Sequence, residues 1–408
     1  MLYPSILGIV LAGGKGERLS PLTRDRSKPA VPFAGKYRIV DFVLSNLSNS
    51  GIYSVYVLVQ YKSQSLIEHL SAAWRMGSRM KGHFVTVVPP QMRRGERWYR
   101  GTADATYQNL HLIRDLRPDL VAIFGADHIY RMDVGQMIKF HLEQQADATV
   151  AALPVPLVQA SRFGVIETDP TNRIIGFSEK PKRPKSMPTD QQMAYASMGN
   201  YIFHTETLLE ALRRDAQRES DHDFGKSIVP DLCERANVFA YNFMRNEVPG
   251  VKPYEEKGYW RDVGNIESYW KAHMDLLGPY PSFDLENPQW PILSESHDGP
   301  AARIIGGEIE DSLICEGSTI QGGKIRRSVI GHGVSIEKGA QIEESLLIGY
   351  TQIGANARLK KVIIDRFNTI KPSEEIGPAP EQNKSRYTAD ASGIVTLSRG
   401  ETPSFYRR

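Results

Sequence analysis

Cysteine is scarce in this chain of 408 residues: only Cys233 and Cys315 are present, and they lie far apart. This usage is typical of a reducing compartment and excludes a zinc site built from closely spaced cysteines. The sequence also lacks any apolar run near the ~18 residues that a membrane helix requires. The short apolar run Ile6–Ala12 has no basic segment before it and is followed at once by charges, so we interpret it as a buried strand rather than a signal peptide. These features predict a cytoplasmic protein with no membrane partner.

The chain also lacks a strong excess of either charge. Its formal net charge is +3, which is too small to indicate nucleic acid as a partner, so any basic site must be local. Hydrophobic residues make up 41% and charged residues 24%, an ordinary globular mixture. A length of 408 residues predicts two domains rather than one.

Short apolar runs alternate with helix-like stretches through the first part of the chain. The runs Ile6–Ala12, Val55–Gln60 and Leu120–Gly125 are typical of parallel strands buried on both faces. Asp41–Ser50 and Ser63–Trp74 have helical spacing. This alternation predicts a doubly wound, Rossmann-like α/β sheet, whose ligands lie at the carboxyl ends of the strands.

The last third of the chain has a different composition. Residues 278–300 contain five prolines and little periodicity, which predicts a linker. From Ile304 to Ile370 aliphatic residues recur six apart, with slips between sets, and a short fixed period indicates a solenoid. The repeating positions are Ile314 and Ile320; Ile330, Ile336, Ile342 and Ile348; Ile353 and Leu359; and Ile364 and Ile370. We predict a parallel β-helix, with an antiparallel β-sandwich as the alternative.

The stretch "GIVLAGGKGERLSPLTRDRSKPA" places two glycines directly after the first predicted strand and spaced cations behind them. Glycine lets a ligand approach the backbone N–H groups closely, and Arg18 and Lys28 would supply charge, so the pattern favours a phosphate chain. The stretch is neither a Walker A loop nor G-x-G-x-x-G, because Leu19 occupies the last glycine position. A tight turn with solvated cations remains the alternative.

Two carboxylates from distant segments are candidate metal ligands. Asp127 follows a predicted strand in "FGADHIYRMD", and Asp262 follows aromatic residues in "YWRDVGNIESYW". Mg²⁺ prefers few carboxylates together with phosphate oxygens and water, so the pair predicts a magnesium site. Taken alone, an aspartate in such a position is more often a helix cap or turn residue.

Two further stretches have the chemistry to bind a sugar phosphate and a base. In "FSEKP", Lys180 suits a phosphate and Glu179 suits sugar hydroxyls, with an exposed charge pair as the alternative. "RWYRGTADATYQN", residues 97–109, mixes cations, aromatics and Gly101, and could contact a nucleotide or form a basic surface turn.

Together these motifs resemble those of the sugar-1-phosphate nucleotidyltransferases. "LAGGKGERLSPLT", "WYRGTADA", "GADHIYRMD", "RFGVIE", "FSEKP", "SMGNYIF", "HDFGKSIVP" and "YWRDVGNIESYWKAHMDL" are similar, in this order, to the bacterial ADP-glucose pyrophosphorylases. The resemblance implies an α/β, doubly wound nucleotidyltransferase sheet followed by a left-handed parallel β-helix. We accordingly expect a catalytic domain at 1–277, a linker at 278–300, a β-helix at 301–382 and a tail at 383–408.

The resemblance also implies an activity. ATP and α-D-glucose 1-phosphate would give ADP-glucose and diphosphate, the first committed step of glycogen synthesis. It implies a Mg²⁺ requirement, a homotetramer, and allosteric control by a phosphorylated metabolite.

Site residues follow from the resemblance position by position. Catalytic roles fall on Arg18, Lys28 and Asp127, and the metal pair is Asp127 and Asp262. ATP contacts fall on Leu11, Gly13, Gly14, Arg18, Lys28, Gln60 and Gly101. Glucose 1-phosphate contacts fall on Tyr99, Gly164, Glu179, Lys180, Ser197, Tyr201, Asp223, Phe224 and Trp260.

Regulatory residues follow in the same way but with a departure. Arg26, Arg38 and Arg386 match arginines near the family's effector site, whereas Asp25 stands where enterobacterial members carry an activator-binding lysine. Pro32 replaces a histidine found in some members. We therefore expect an activator other than fructose 1,6-bisphosphate.

Two alternative functions stay open at this stage. Another sugar-1-phosphate nucleotidyltransferase would make GDP-mannose or a UDP-sugar, and a regulatory homologue would have lost catalysis. Retention of Arg18, Lys28, Asp127, Lys180 and Asp262 argues against the second.

Overall fold

The first predicted strand lies inside a nine-stranded sheet. In the computed structural model, which describes residues 4–75, 82–92, 95, 97–378 and 387–402, β1 (Ile6–Ala12) pairs in parallel with a strand on each side. Leu7 and Ile9 face one hydrophobic core and Val10 and Ala12 the other. The continuous apolar run therefore reflects burial on both faces of the sheet.

The other strands of this part of the chain are short, and most belong to the same sheet. They are β2 (Pro32–Phe33), β3 (Tyr37–Arg38), β4 (Ser54–Val59), β5 (Phe84–Val88), β6 (Leu120–Gly125), β7 (His128–Tyr130), β8 (Ala148–Pro156), β9 (Gly164–Thr168), β10 (Ile174–Glu179), β11 (Met193–His204), β12 (Val238–Asn242) and β13 (Trp260–Asp262). The main order is β10-β9-β11-β6-β1-β4-β5, with β8 paired to β11 and β12 paired to β8. β1, β4, β5 and β6 run parallel, whereas β11 is antiparallel to β6.

Helices alternate with these strands and cover both faces of the sheet. They are α1 (Ile39–Asn49), α2 (Gln64–Ala73), α3 (Thr102–Gln108), α4 (Leu110–Leu116), α5 (Val134–Glu143), α6 (Leu157–Ala160), α7 (Thr205–Asp215), α8 (Val229–Cys233) and α9 (Ile266–Met274). The predicted doubly wound α/β sheet is confirmed. Within the described ranges, none of the helices is long and apolar enough to cross a membrane.

The predicted elements differ from the observed ones only at their ends. The strand expected at 55–60 runs from Ser54 to Val59, and the helix expected at 41–50 begins at Ile39. The earlier start has a local cause, because the Asp41 carboxylate accepts a hydrogen bond of 2.8 Å from the backbone N–H of Arg38. This caps a free donor at the first turn.

The second part of the chain winds into a three-sided coil of parallel strands. These are β14 (Arg303–Ile304), β15 (Glu308–Glu310), β16 (Leu313–Ile314), β17 (Thr319–Ile320), β18 (Gly323–Arg326), β19 (Val329–Ile330), β20 (Ser335–Ile336), β21 (Ala340–Glu343), β22 (Leu346–Leu347), β23 (Gln352–Ile353), β24 (Arg358–Lys360), β25 (Val362–Ile364), β26 (Thr369–Ile370), β27 (Glu375–Ile376), β28 (Thr388–Ala389) and β29 (Val395–Leu397). The three sheets are β14-β17-β20-β23-β26, β15-β18-β21-β24-β27 and β16-β19-β22-β25-β29-β28. The parallel β-helix is confirmed, and the antiparallel sandwich is excluded.

The aliphatic repeat marks the interior of this coil. Ile320, Ile336, Ile353 and Ile370 are register partners in successive coils, and all are buried. One difference from the predicted boundaries concerns the segment expected to be a tail. Its residues Val395–Leu397 are buried and pair in parallel with β25, so this segment adds a strand to the third sheet.

The β-helix packs on the catalytic part through a shared hydrophobic cluster. Phe33, Phe42 and Tyr269 from the first part contact a core that also contains Val329 and Ile363 of the coil. Trp270 donates a hydrogen bond of 2.8 Å to the carbonyl of Glu344 across the same boundary.

Removing the β-helix would leave this apolar surface uncovered. We expect a chain lacking residues 301–408 to be poorly soluble or poorly regulated, because large exposed apolar patches promote association. Size-exclusion chromatography and effector dose–response curves on the truncated chain test this. A monodisperse monomer with the regulation of the full chain would contradict it.

Candidate active site

A cavity of about 420 Å³ opens at the carboxyl edge of β1, where the phosphate loop was predicted. Its lining residues are Leu11, Gly13, Gly14, Lys28, Pro29, Leu58, Gln60, Tyr99, Arg100, Gly101, Thr102, Ala105, Gly125, Asp127, Gly199, Tyr201, Asp223 and Phe224. Most of the predicted nucleotide residues therefore lie on one surface, at the position that doubly wound sheets give to ligands.

The space that side chains of residues 13 and 14 would occupy is open in this glycine loop. A Cβ on Gly14 would have no heavy atom within 4 Å, and one on Gly13 would meet only Gln60, at 3.6 Å. The loop then passes close to Lys28, since a Cβ on Gly16 would lie 2.8 Å from the Cβ of Lys28. This arrangement leaves backbone open to a ligand and brings a buried cation beside it.

Pairing of two short strands brings the distant carboxylates together. β13 is antiparallel to β7, with Asp262 opposite His128. Asp127 and Asp262 both form ion pairs with Lys28, whose Nζ lies 3.2 Å from Asp127 Oδ2 and 3.0 Å from Asp262 Oδ1. Residues separated by 99 and 234 positions from Lys28 thus meet at one point.

Electrostatics keep Asp127 and Lys28 charged at neutral pH. Burial alone would raise the pKa of Asp127, but His128 and Lys28 hold it well below its usual range. Burial alone would lower the pKa of Lys28, but Asp127 and Asp262 raise it above its usual value. The site is therefore a buried ammonium between two carboxylates.

The same carboxylates have the donor chemistry for a divalent cation. Ligand atoms of Asp127, His128 and Asp262 all lie within 4.8 Å of one another. Two carboxylates with room for phosphate oxygens suit Mg²⁺, so the residues fit the expected metal.

Arg18 stands over the Asp262 side of this cluster. One of its terminal nitrogens would be 3.1 Å from a Cβ on Gly264, a position that also lies 3.0 Å from an Asp262 oxygen. The side chain is exposed and does not line the cavity. It is placed to reach an anion that extends out of the cavity.

The part of the cavity wall next to α3 depends on close packing at Gly101 and on hydrogen bonds to Asp223. A Cβ on Gly101 would lie 2.3 Å from the carbonyl oxygen of His222, so only glycine fits this close approach. Asp223 accepts hydrogen bonds from the Thr102 hydroxyl at 2.8 Å and from the Gly225 N–H at 2.9 Å. Both Asp223 oxygens therefore have protein partners in this structure.

Gln60 and Tyr99 form a second wall through paired hydrogen bonds. Tyr99 N–H donates to Gln60 Oε1 at 2.9 Å, and Gln60 Nε2 donates to the Tyr99 carbonyl at 3.3 Å. The Tyr99 hydroxyl accepts a bond of 2.9 Å from Asn109. Gln60 thus fixes the loop that carries Tyr99.

Tyr201 and Phe224, which were predicted to contact the sugar phosphate, line the same cavity as the predicted nucleotide residues. Tyr201 stacks on Phe224 with ring centroids 5.6 Å apart, and Ser197 bonds the Tyr201 hydroxyl. Burial raises the pKa of Tyr201, so its hydroxyl stays protonated. Gly164 and Glu179 are register partners in the neighbouring β9–β10 pair.

Lys180 and Trp260 are two further residues predicted to contact the sugar phosphate. Lys180 is largely exposed and lies 3.2 Å from Glu179, while its backbone N–H donates to the carbonyl of Phe163 at 3.0 Å. Phe163 contacts the Trp260 ring, which packs on His128 with centroids 4.6 Å apart. Lys180 is thereby connected through aromatic packing to the carboxylate cluster.

Sequence reasoning missed several groups at this site. Thr102, Arg100 and Gly199 line the cavity but were not predicted. Thr102 and Arg100 flank Gly101 in a stretch that was identified only as a whole. Gly199 lies in a register irregularity of β11, which sequence alone does not reveal.

Two of the three predicted regulatory arginines, Arg26 and Arg38, lie at the boundary with the β-helix. Arg26 is buried and its guanidinium contacts both carboxylate oxygens of Asp365, at 3.0 and 2.7 Å. Arg38 donates to the carbonyl and hydroxyl of Ser65, both at 2.7 Å. Arg386 lies outside the described residues.

A cleft of about 470 Å³ between the two parts of the chain contains one of these arginines. It is lined by Pro32, Gly35, Lys36, Tyr37, Arg38, His69, Glu295, Ser296, His297, Asp298, Gly299, Pro300, Gly317, His332, Gly333, Ile348, Gly349, Tyr350 and Arg366. Burial, together with the charges of Arg366 and Arg26, lowers the pKa of Arg38 to about 9. The boundary therefore concentrates positive charge.

Comparison with known families places the first part of the chain among the nucleotidyltransferases. Residues 7–278 match the family described as "Nucleotidyl transferase", and residues 300–397 match "GlmU-like, C-terminal hexapeptide". The second match agrees with a left-handed parallel β-helix built from hexapeptide repeats.

Curated relatives narrow the class to one family. The chain is 56% identical over 397 residues to a glucose-1-phosphate adenylyltransferase of Thermodesulfovibrio yellowstonii, covering 97% of this chain and 96% of that relative. It is 47% identical to proteins of the same name from Photobacterium profundum and Anaeromyxobacter sp., covering 97% of this chain and 98% of each relative. The chain belongs to the glucose-1-phosphate adenylyltransferase family.

Proposed function

We propose that this chain transfers the adenylyl group of ATP to α-D-glucose 1-phosphate, releasing diphosphate and forming ADP-glucose. The observation that carries the proposal is Lys28 Nζ held within 3.2 Å of Asp127 and 3.0 Å of Asp262 beside the open glycine backbone. The relatives bear the name of the same activity, and their likeness covers nearly the whole chain.

The chemistry explains why the site contains cations rather than a general base. Glucose 1-phosphate is already ionised, so its phosphate oxygen can attack the α-phosphorus of ATP directly, and the bond to diphosphate breaks. The obstacle is repulsion between two anions. Positioning and charge neutralisation are therefore the main tasks of the protein.

The nucleotide half of the site has residues suited to a triphosphate and a base. The Gly13–Gly14 backbone would donate hydrogen bonds to phosphate oxygens, and Arg18 and Lys28 would neutralise their charge. Leu11 and the loops that carry Gln60 and Gly101 would enclose the adenosine. Gln60 contributes by fixing Tyr99, since its amide already bonds that backbone.

The sugar half has the residues predicted to contact glucose 1-phosphate. Lys180 would contact the phosphate of glucose 1-phosphate, and Glu179 would accept hydrogen bonds from sugar hydroxyls. Tyr99, Gly164, Ser197, Tyr201, Asp223, Phe224 and Trp260 would surround the sugar. Asp223 also positions α3, because it accepts hydrogen bonds from the Thr102 hydroxyl and the Gly225 N–H.

Asp127 and Asp262 would hold Mg²⁺. When bound there, the ion neutralises phosphate charge and helps to align the reacting groups. The two aspartates also position the ammonium group of Lys28, with which both form ion pairs.

A phosphorylated metabolite is the proposed effector, bound where the two parts of the chain meet. Arg38 and Arg366 line the cleft, and Arg26 lies close enough to lower the pKa of both. Arg26 Nη1 is buried without a hydrogen-bond partner among the described residues. An arginine fork binds phosphate well, so an anion would relieve this crowding.

The effector is expected to carry a single phosphate group. Asp25 adds negative charge beside Arg24, which contacts Ser398 of the β-helix. A hexose monophosphate or phosphoenolpyruvate should therefore activate more strongly than fructose 1,6-bisphosphate, and Asp25→Lys should raise the response to the bisphosphate. Dose–response curves on both chains test this. Strongest activation of the wild type by fructose 1,6-bisphosphate, with no gain in Asp25→Lys, would contradict it.

We also propose a cytoplasmic homotetramer acting at the first committed step of glycogen synthesis. Both cysteines are free thiols, which suits a reducing compartment. Ile304 and Ile305 at the first coil of the β-helix are 54% and 58% exposed, and such apolar residues are suited to contact another subunit.

Diphosphate release tests the activity against its rivals. The full chain would be assayed with each of ATP, GTP, UTP and CTP against glucose 1-phosphate, mannose 1-phosphate and N-acetylglucosamine 1-phosphate. We expect turnover with ATP and glucose 1-phosphate to exceed every other pair. A preference for GTP or UTP would favour another nucleotidyltransferase. No diphosphate release with any pair would favour a regulatory homologue.

A further inference from the structure

A second cluster of metal-ligating side chains lies away from the active site, where the β-helix meets the catalytic part. Ligand atoms of Cys315, Glu316 and His332 all lie within 4.8 Å of one another. Cys315 is buried, and the other two are partly exposed. A thiol, a carboxylate and an imidazole in one place form a donor set typical of zinc rather than magnesium.

The repeat of the β-helix builds this cluster. Ile314 and Ile330 are register partners in β16 and β19, so Glu316 and His332 occupy equivalent positions in successive coils. Adjacent strands of a sheet are ~4.8 Å apart, which brings these two side chains side by side. Cys315 precedes Glu316, and its Sγ would lie 2.5 Å from a Cβ on Gly35 of the catalytic part.

The imidazole of His332 has a nitrogen ready for a ligand. Its Nδ1 is buried without a hydrogen-bond partner among the described residues, although Glu316 Oε2 lies 3.4 Å away. A neutral imidazole with a free lone pair is the form that binds metals.

His297 holds the His332 ring in place without competing as a ligand. The two rings are parallel, with centroids 4.1 Å apart and planes 2° from each other. His297 Nδ1 accepts from the Gly299 N–H at 2.9 Å, and its Nε2 lies 3.2 Å from the Tyr350 hydroxyl. Both of its nitrogens are therefore in use.

We propose that Cys315, Glu316 and His332 bind one Zn²⁺ ion per chain. Two anionic ligands would balance the dication despite the nearby Lys36 and Arg366, whose electrostatic influence reaches this cluster. Binding would release the thiol proton of Cys315 to solvent, because zinc binds the thiolate. A fourth position would be left for water or another donor.

The ion would link two coils of the β-helix at the surface on which the catalytic part packs. Cys315 and His332 belong to two coils, and the turn containing Gly35 and Lys36 packs directly on them. Binding only to the folded state raises stability with metal concentration.

Metal content and Co²⁺ absorption of the full chain test the proposal. The chain would be stripped with chelator, loaded with limiting Zn²⁺ or Co²⁺, and dialysed. We expect about one ion per chain, a thiolate-to-cobalt charge-transfer band, and a rise of a few degrees in melting temperature. Cys315→Ser should lose the band and weaken binding at least ~10-fold.

Matched variants separate this site from other sources of metal binding. Cys233→Ser removes the other thiol and should leave the metal content, the band and the melting shift unchanged. Asp127→Asn should also retain the band, because it alters only the active-site carboxylates. Glu316→Gln and His332→Gln each remove one proposed ligand but keep the thiol. The melting temperatures of these variants without metal show whether they are folded. Equal zinc affinity of wild type and Cys315→Ser, or no zinc retained by the wild type, would overturn the proposal.

Discussion

Replacing Asp127 with asparagine should lower kcat at least ~100-fold while nucleotide still binds. The substitution keeps the shape of the side chain but removes one of the two charges that hold Lys28 and would hold Mg²⁺. These interactions matter most when charge redistributes in the transition state, so their loss lowers kcat rather than ground-state binding. Steady-state kinetics together with equilibrium binding of ATP measure both quantities.

A matched control for this substitution is Asp115→Asn. Asp115 is an exposed aspartate on α4 and has no role in the proposed site. It should leave both kcat and nucleotide binding near wild-type values. If Asp127→Asn retains half of the wild-type kcat, the role assigned to Asp127 is wrong.

Replacing Lys180 with glutamine should raise KM for glucose 1-phosphate by ~10-fold or more, with a much smaller effect on KM for ATP. A charge-assisted hydrogen bond contributes about 1.5–3 kcal/mol, which corresponds to at least that factor. Lys180 is largely exposed and its ammonium lies 3.2 Å from the Glu179 carboxylate. The ammonium is therefore accessible to a substrate phosphate.

Lys182→Gln is the control, because Lys182 is exposed in the same loop two positions further on. It removes the same charge from the same segment and should leave both KM values nearly unchanged. Equal increases in KM for both substrates in Lys180→Gln, or equal effects of the two substitutions, would count against a specific phosphate contact.

The periodicity of apolar residues predicted the fold, because the burial of side chains determines that periodicity. β1 and β6 are buried on both faces, and their continuous apolar runs predicted the first and last residue of each strand correctly. The aliphatic repeat likewise marked the interior of the β-helix. The end of the coil was harder to predict, because Val395–Leu397 returns to the third sheet only after a segment that breaks the repeat.

Many of the predicted site residues line one cavity, but the contacts among them could not be predicted from the sequence. Asp127 and Asp262 were chosen for their positions after predicted elements, yet only the β7–β13 pairing brings them to Lys28. The buried pair of Arg26 with Asp365 also depends on how the two parts pack. Contacts between distant segments leave no local pattern in a single sequence. The cluster around Cys315 was not predicted for the same reason, because it depends on the stacking of two coils.

The most direct test of the proposed reaction follows the phosphorus of the sugar phosphate. The full chain would be incubated with ATP, Mg²⁺ and glucose 1-phosphate labelled with ³²P, and the products would be separated. Because the sugar phosphate oxygen attacks the α-phosphorus of ATP, all of the transferred label should appear in ADP-glucose, with unlabelled diphosphate released in equal amount. Label in diphosphate or in inorganic phosphate, or no labelled nucleotide sugar at all, would contradict the account.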